Sequence, residues 1–274
     1  MGLNEELESF FDREGIEYVS LIPYSECKKI RPDIMEREGF VPRSAIVFLI
    51  PYYGGETVNL SRYAAARDYH IYIKDVTERL CEQLSSSFPG ALAHGYGDHS
   101  PIDERHAALI GGLGILGDNG LIINERYGSY VFVADVLTDI PTEKLGVARI
   151  EAVTRCEGCG ACRLSCPTGI LRGEGEDCLS AITQRKGELT EEEVLLMRRY
   201  NTVWGCDLCQ STCPHNRAPR ITPIRFFTED RMEELTCEVL DGMDKSTFNQ
   251  RAFSWRGRKT VERNIELVCS KKVN

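Results

Sequence analysis

The residues best equipped for chemistry in this chain are its 12 cysteines, eight of which crowd into two short runs and the gap between them. The first run is Cys156-x-x-Cys159-x-x-Cys162-x-x-x-Cys166-Pro167. The second is Cys206-x-x-Cys209-x-x-x-Cys213-Pro214, and Cys178 lies between the two. Thiolates suit soft metals and iron–sulfur clusters. In the first pattern three cysteines in a tight loop wrap one cubane cluster, while the fourth cannot fold back and reaches a second cluster. The second run lacks one cysteine of the full pattern, and Cys178 supplies it. Reciprocal pairing then assigns Cys156, Cys159, Cys162 and Cys213 to one 4Fe-4S cluster. Cys166, Cys178, Cys206 and Cys209 go to the other. The alternative is a pair of Zn sites, but Zn spacings usually pair C-x-x-C units, and the run ending in Cys-Pro favours iron–sulfur. Cys27, Cys81, Cys237 and Cys269 stand alone and are expected to be buried, inert thiols. Two clusters in one module pass single electrons, and such a wire needs a terminus, to be sought in residues 1–150.

The remaining chemical signals are weaker. Gly112-Leu-Gly114-Ile-Leu-Gly117 matches a dinucleotide fingerprint, which counts only between a strand and a helix. Here a helical stretch precedes it and a strand follows, so a dinucleotide fold is not expected. Glycines there would also suit a backbone approached closely by a flat cofactor. No metalloprotease, P-loop or hydrolase-elbow motif occurs, and the five histidines show no metal spacing. His70 lies in a helical stretch and reads as structural or cofactor-facing; His99 and His106 read as surface groups. Asp98, in GYGDHSP, precedes a helix start. A solvated turn residue is the plain reading, and a helix dipole would lower its pKa. To act as a general acid it must instead be buried against something apolar.

These groups need elements to hold them. Leu3, Leu7, Phe10 and Phe11 follow helical spacing, with Gly15 as a stop. Residues 18–22 and 44–50 read as strands and 60–88 as a long helix. Ser100 and Pro101 read as the N-cap and first position of another helix. Residues 120–124 and 129–137 read as a hairpin around ERYG. Thr190-Glu-Glu-Glu193 is a capping box opening a helix, and three more helical stretches follow Pro223. A mixed α/β first domain therefore ends near residue 150. No apolar run approaches the roughly 20 residues that span a bilayer, and the N-terminus reads as acidic and amphipathic rather than as a signal peptide. No membrane association and a cytoplasmic location, where thiols stay reduced, are expected. The net charge is −9, yet the stretch after residue 214 is basic, so a nucleic-acid partner is left open.

Taken together these residues resemble the epoxyqueuosine reductase family. The resemblance covers Tyr63–Tyr72 (YAAARDYHIY), Gly97–Arg105 (GDHSPIDER), Gly112–Asn119, Tyr127–Asp139 (YGSYVFVADVLTD), both cysteine runs through Arg217, and SWRGRKTVERN. It implies an α+β chain: a cobalamin-binding domain related to nitroreductase-like and reductive-dehalogenase folds (1–150), a helical ferredoxin-like two-cluster domain (151–220), and a helical C-terminal segment (221–274). It implies cobalamin and two 4Fe-4S clusters as cofactors and reduction of epoxyqueuosine in tRNA to queuosine. Asp98 stands at the family's proton-donor position, and Tyr69, His70, His99, Ser100, Gly112, Gly114, Gly117 and Asn119 at its cofactor-facing positions. A reduced ferredoxin or flavodoxin is the implied electron donor. Arg251, Arg256, Arg258, Lys259 and Arg263 are the candidates for tRNA phosphates, with Phe253 and Trp255 able to stack. Asp98-His-Ser-Pro101 departs from the family's usual Asp-Ser-Ala-Pro, and the chain stops short of the helical-repeat extension of longer members. The alternatives are a corrinoid reductase acting on another substrate, or a corrinoid-reactivating protein, and a simple electron carrier.

Overall fold

The computed structural model describes residues 3–269, which divide into two compact units: 3–52 with 70–158, and 53–69 with 159–269. The division departs from a boundary at residue 150, because residues 53–69 pack with the cysteine-rich part of the chain.

In chain order the first unit contains α1 (Glu5–Glu14), β1 (Val19–Pro23), α2 (Pro32–Glu38), β2 (Ser44–Pro51), α3 (Tyr69–Ser87, within this unit from His70), β3 (Ala93–Tyr96), α4 (Glu104–Ile110), β4 (Ile115–Leu116), β5 (Ile122–Ile123), β6 (Val131–Thr138) and α5 (Thr142–Leu145). Its main sheet runs β1-β2-β6-β3, every pair antiparallel. All eight residues of β2 are buried, as a central strand covered on both faces requires. Ala45, Val47 and Leu49 join Ala107, Ala108 and Ile110 of α4 in one core, while Phe48 points the other way and meets Phe11 of α1 at 5.2 Å. Asn4 caps α1 by accepting the Leu7 N–H, and Gly15 ends it in the left-handed conformation.

Several expectations change here. Of the hairpin expected from 120–124 and 129–137, only a single antiparallel bridge of Asn124 with Gly128 forms. The Asn124 side chain accepts the N–H groups of Arg126 and Tyr127 and turns the chain, β5 pairs back with β4, and β6 is taken into the main sheet. The helix expected from residue 60 begins only at Tyr69, because Ser61 and Arg62 are engaged with Asp207. The helix expected from Ser100 begins at Glu104 under an Asp103 N-cap; the Ser100 hydroxyl accepts the Ile102 N–H at 3.2 Å in a turn before it and donates to Asp135. Strand β3 carries Gly95, where a Cβ would lie 2.2 Å from that of Thr77; only glycine lets α3 approach so closely.

The second unit is helical: α6 (Ala161–Ser165), α7 (Leu179–Gln184), α8 (Glu191–Arg199), α9 (Leu208–Ser211), α10 (Cys237–Asp241), α11 (Lys245–Asn249) and α12 (Arg258–Cys269). The capping box at Thr190 and Glu193 is present at the start of α8. The core centres on Trp204, fully buried with Leu60, Ala64, Phe253, Val261 and Ile265. Its indole N–H donates to the Tyr63 hydroxyl at 3.0 Å, which satisfies the one polar atom such burial would strand. Asn264, also fully buried, donates to the carbonyls of Thr183 and Val203 and so ties α12 to α7 and to the segment that carries Trp204.

Candidate functional site: a double-cluster module and an aspartate loop

Among the described residues no disulfide joins any of the 12 cysteines. The backbone around the first run is built for close turns. Gly158 and Gly160 adopt positive φ, and α6 follows at once, placing Cys162 in a helix whose last turn leads to Cys166. Burial raises the Cys166 thiol, but the N–H groups of Leu171, Thr168 and Gly169 and the Thr168 hydroxyl outweigh it, so the group is held below its ordinary value. Amides directed at a sulfur stabilise the thiolate that a cluster needs. Cys206 shows the opposite: burial, then the nearby Cys178 and Cys209 sulfurs, push it up to about 12. Three thiols assigned to one cluster thus crowd one another, and a cationic iron core between them would reverse that penalty. Both observations fit the donor set to iron–sulfur clusters. Among the described residues no three His, Cys, Asp or Glu side chains converge as a single-ion site. A cubane holds its thiolates at the corners of a wider figure than four ligands about 2.3 Å from one Zn ion. Cys206→Ser is expected to remove at least half of the iron and of the cluster absorbance of reconstituted protein, measured as iron per chain.

The loop that carries these ligands is anchored through Asp207. Its carboxylate accepts from the Ser61 hydroxyl, from the Arg62 N–H at 2.7 Å and from the Arg62 guanidinium at 3.1 Å. This explains why residues 53–69 join the second unit. Asp207 follows directly on Cys206, so the anchor fixes the backbone of that candidate ligand.

The first unit presents Asp98. Its backbone is left-handed, with φ of 62°, a conformation that few residues other than glycine, asparagine and aspartate adopt. Its carboxylate lies 3.5 Å from His70 Nε2, and both side chains are about half exposed, at 55% and 53%. Within its own unit Asp98 is therefore not buried against apolar groups, contrary to the requirement set for a general acid. His99 is exposed, and Ser100 is buried, donating to Asp135 at 3.1 Å. Tyr69 and His70 open α3. A groove of about 700 Å³ runs from His70 along Ile73 and Thr77 to Tyr96 and Gly97.

The glycines expected to face a cofactor have internal work. A Cβ on Gly114 would lie 2.6 Å from the Ile123 carbonyl, on Gly117 2.6 Å from Asn119, and on Gly112 2.8 Å from the Glu151 carboxyl. They shape the turn around β4 and β5, and Asn119 accepts the Leu121 N–H at 3.3 Å. Their sequence pattern marks a tight turn.

Sequence reasoning missed Glu104 and Asp135. Asp135 is fully buried on β6; one carboxyl oxygen accepts from Ser100, and the other has neither solvent nor a hydrogen-bond partner among the described residues. Burial pushes it up to about 8. Glu104 accepts the Asp98 N–H at 3.0 Å; burial of its carboxyl, then the charges of Asp135 and Asp98, push it up to about 9. Two further corrections concern isolated residues. Cys27 is buried as expected, but Cys237 and Cys269 are exposed. Of the basic cluster, Arg251 is 5% exposed and donates to Asp230 at 2.7 and 2.9 Å, Arg258 donates to the Leu240 and Met243 carbonyls, and Arg263 to Gly187 and Asn264. These arginines close helix ends and loops. Lys259 is the exposed cation of the five, and the half-buried Arg256 lies 3.8 Å over the exposed Trp255 ring.

The fold and the thiolate pattern define a class: a two-cluster iron–sulfur unit joined in one chain to a four-stranded antiparallel α/β unit. Residues 155–216 match the family described as 4Fe-4S double cluster binding domain. The chain is 28% identical to the epoxyqueuosine reductase of Listeria monocytogenes over 267 residues, 89% of this chain and 67% of the relative. It is 29% identical to that of Bacillus subtilis over 219 residues, covering 76% of this chain and 55% of the relative. Among solved structures, an epoxyqueuosine reductase with an epoxyqueuosine-modified tRNA stem loop superposes with a TM-score of 0.78 at 22% identity, covering 96% of this chain and 80% of that one. A Bacillus subtilis epoxyqueuosine reductase, described with its catalytic aspartate loop swung out of the active site, superposes with a TM-score of 0.76 at 23% identity, covering 96% and 80%. In sequence this chain is similar to epoxyqueuosine reductases, and it shares their fold. It spans just over half of the Bacillus subtilis relative's length and about two thirds of the Listeria one.

Proposed function

We propose that the protein is an oxidoreductase that reduces the epoxide of epoxyqueuosine in tRNA to queuosine. The observation that carries this reading is Asp98, raised on a left-handed turn beside His70 in a chain whose sequence follows the epoxyqueuosine reductases over most of its length. Removing an epoxide oxygen as water consumes two electrons and two protons. The clusters held by Cys156, Cys159, Cys162 and Cys213 and by Cys166, Cys178, Cys206 and Cys209 pass the electrons one at a time. Bound cobalamin supplies a reducible cobalt as the end of that path. The groove beside His70, partly walled by Ile73, Thr77 and Tyr96, offers a mixed apolar and polar face of the kind a large macrocycle requires, with His70 as a contact; His99 would reach the macrocycle from the neighbouring loop.

The task of Asp98 is to hold a proton for the oxygen as the C–O bond breaks. An alkoxide is a poor leaving group in the absence of such a donor. A macrocycle and a bound nucleoside would cover the half-exposed carboxyl and disfavour its charged form. tRNA is the partner, met through phosphates at Lys259 and Arg256 and through stacking on Trp255. A reduced ferredoxin or flavodoxin is the electron donor. tRNA maturation places the protein in the cytoplasm; among the described residues no helix is long and apolar enough to cross a membrane.

The test is nucleoside mass spectrometry of tRNA from a strain lacking this gene and any second epoxyqueuosine reductase, complemented with it. Queuosine restored at the expense of epoxyqueuosine is expected. Epoxyqueuosine that persists despite cluster- and cobalamin-loaded protein would overturn the reading.

A further inference from the structure

The loop from Asp98 to Ser100 is fastened at both ends to carboxyl groups of the interior. The Asp98 N–H donates to Glu104 Oε1 at 3.0 Å, and the Ser100 hydroxyl donates to Asp135 Oδ1 at 3.1 Å. Glu104 opens α4 and Asp135 sits in the middle of β6, so both anchors belong to the rigid part of the first unit. The loop between them is the movable part: Asp98 and His99 are exposed, and Asp98 occupies a sparsely populated backbone region. We propose that Glu104 and Asp135 are positioning residues for Asp98, which hold its loop in the working position while they carry their protons and release it when both become charged. This rests on the reading of Asp98 as the proton donor.

The physical argument is the cost of charge without water. The second oxygen of Asp135 has no partner and no solvent. Ionised, it would be a desolvated charge, and a charged Glu104 nearby would add like-charge repulsion, with Asp98 as the third carboxylate. Few groups compensate. Glu104 faces Asp135 from β6, Asp98 from the loop and Arg31 from the turn before α2. Asp135 acts on Cys27 and on Tyr96 of β3, neither of which offers a positive charge. His70 of α3 faces Asp98, and Asp103, beside Glu104, is tied to Lys28 and to the His106 N–H. The cheapest way to hydrate the two carboxylates is to lift the loop that covers them, since α4 and β6 are locked in the core.

The sign of the pH effect follows. Both groups bind protons more tightly with the loop closed, where burial raises them to about 9 and about 8, than in an open, hydrated loop, where they return to about 4. Closing therefore takes up protons. The closed loop is most favoured in acid and loses ground as pH rises, by up to about tenfold per pH unit for each linked proton, until the closed-state values are passed. Glu104→Gln keeps an oxygen for the Asp98 N–H and cannot ionise, so it removes one linked proton and leaves the contact.

Hydrogen–deuterium exchange of the 97–103 segment, on full-length cluster-loaded protein without substrate between pH 6 and 9, reads the loop directly. Once divided by intrinsic amide exchange, wild-type protection is expected to fall more than tenfold per pH unit. Glu104→Gln and Asp135→Asn should each flatten that slope by about tenfold per unit. Amides of β6 serve as the folding control; should Asp135→Asn lose them, Glu104→Gln alone decides. A wild-type slope retained in Glu104→Gln, or protection in the wild type that does not change with pH, overturns the proposal. The pH profile of epoxyqueuosine reduction is recorded alongside. Slopes that change as expected without any reduction would leave the latch standing and remove the catalytic reading. Reduction with unaltered slopes would do the reverse.

Discussion

Asp98→Asn is expected to leave the protein folded and loaded with clusters while lowering single-turnover reduction of epoxyqueuosine by about 100- to 10,000-fold, the range that a positioned proton donor contributes. Asparagine matches aspartate in shape and is among the few residues that tolerate a left-handed backbone, so the φ of 62° at this position adds no strain. The side chain is 55% exposed and faces His70, so its replacement disturbs no core, and stability should change by no more than about 0.5 kcal/mol. The Asp98 N–H still reaches Glu104, so the loop stays fastened. What disappears is the ability to give up a proton. The measurement is a rate of queuosine formation with prereduced protein, which separates the protonation step from electron supply. A variant that turns over at the wild-type rate with unchanged cluster content would show that Asp98 does not carry the proton.

Part of this site was legible before any coordinates, because it is written in local spacing. The cysteine runs are short-range patterns whose backbone consequence, tight turns at Gly158 and Gly160 leading into α6, follows from sequence neighbours alone. The capping box at Thr190, the Gly15 stop and the apolar run of β2 are of the same kind. Expectations failed where a distant partner claimed a side chain. Ser100 has the right identity and neighbours for an N-cap and does accept the Ile102 N–H, yet its hydroxyl also donates to Asp135, 35 residues away, and the helix opens only at Glu104. The strand at 131–138 looks like half of a hairpin, but β2 and β3 offer it a longer register than its sequence neighbour does. Strand β3 was invisible because Gly95, which has little strand preference, is present to admit Thr77. The Glu104 and Asp135 pair has no spacing rule at all, since only the fold brings the end of one helix to the middle of a strand. The basic residues near the C-terminus misled in another way: composition marks charge, and only the hydrogen bonds of Arg251, Arg258 and Arg263 reveal that it is spent inside the unit.

The same lesson gives the second large effect, which concerns stability. Asp207→Ala is expected to destabilise the cysteine-rich unit by about 3–5 kcal/mol, the cost of removing one partner from a buried ion pair. Asp207 and Arg62 side chains are only 8% and 12% exposed. Deleting the carboxylate leaves the Ser61 hydroxyl and the Arg62 N–H without this acceptor and strips the buried guanidinium of its buried counter-charge, with only the Ser211 hydroxyl left on that side. Arg62 keeps Glu56, but that carboxylate is 67% exposed and cannot replace a buried partner. The loss falls on two elements at once. Residues 53–69 lose the contact that holds them beside the Leu60–Trp204 bridge, and the backbone of Cys206 loses its neighbour's anchor. Denaturant unfolding of the reconstituted protein should show a lower midpoint, and cluster loss should precede global unfolding because the ligand loop is released first. Asp207→Asn, which keeps one acceptor but no charge, should fall between the two. If Asp207→Ala unfolds at the wild-type midpoint with its clusters intact, the segment 53–69 is held by the Trp204 core alone, and the carboxylate is not the link between that segment and the cluster ligands.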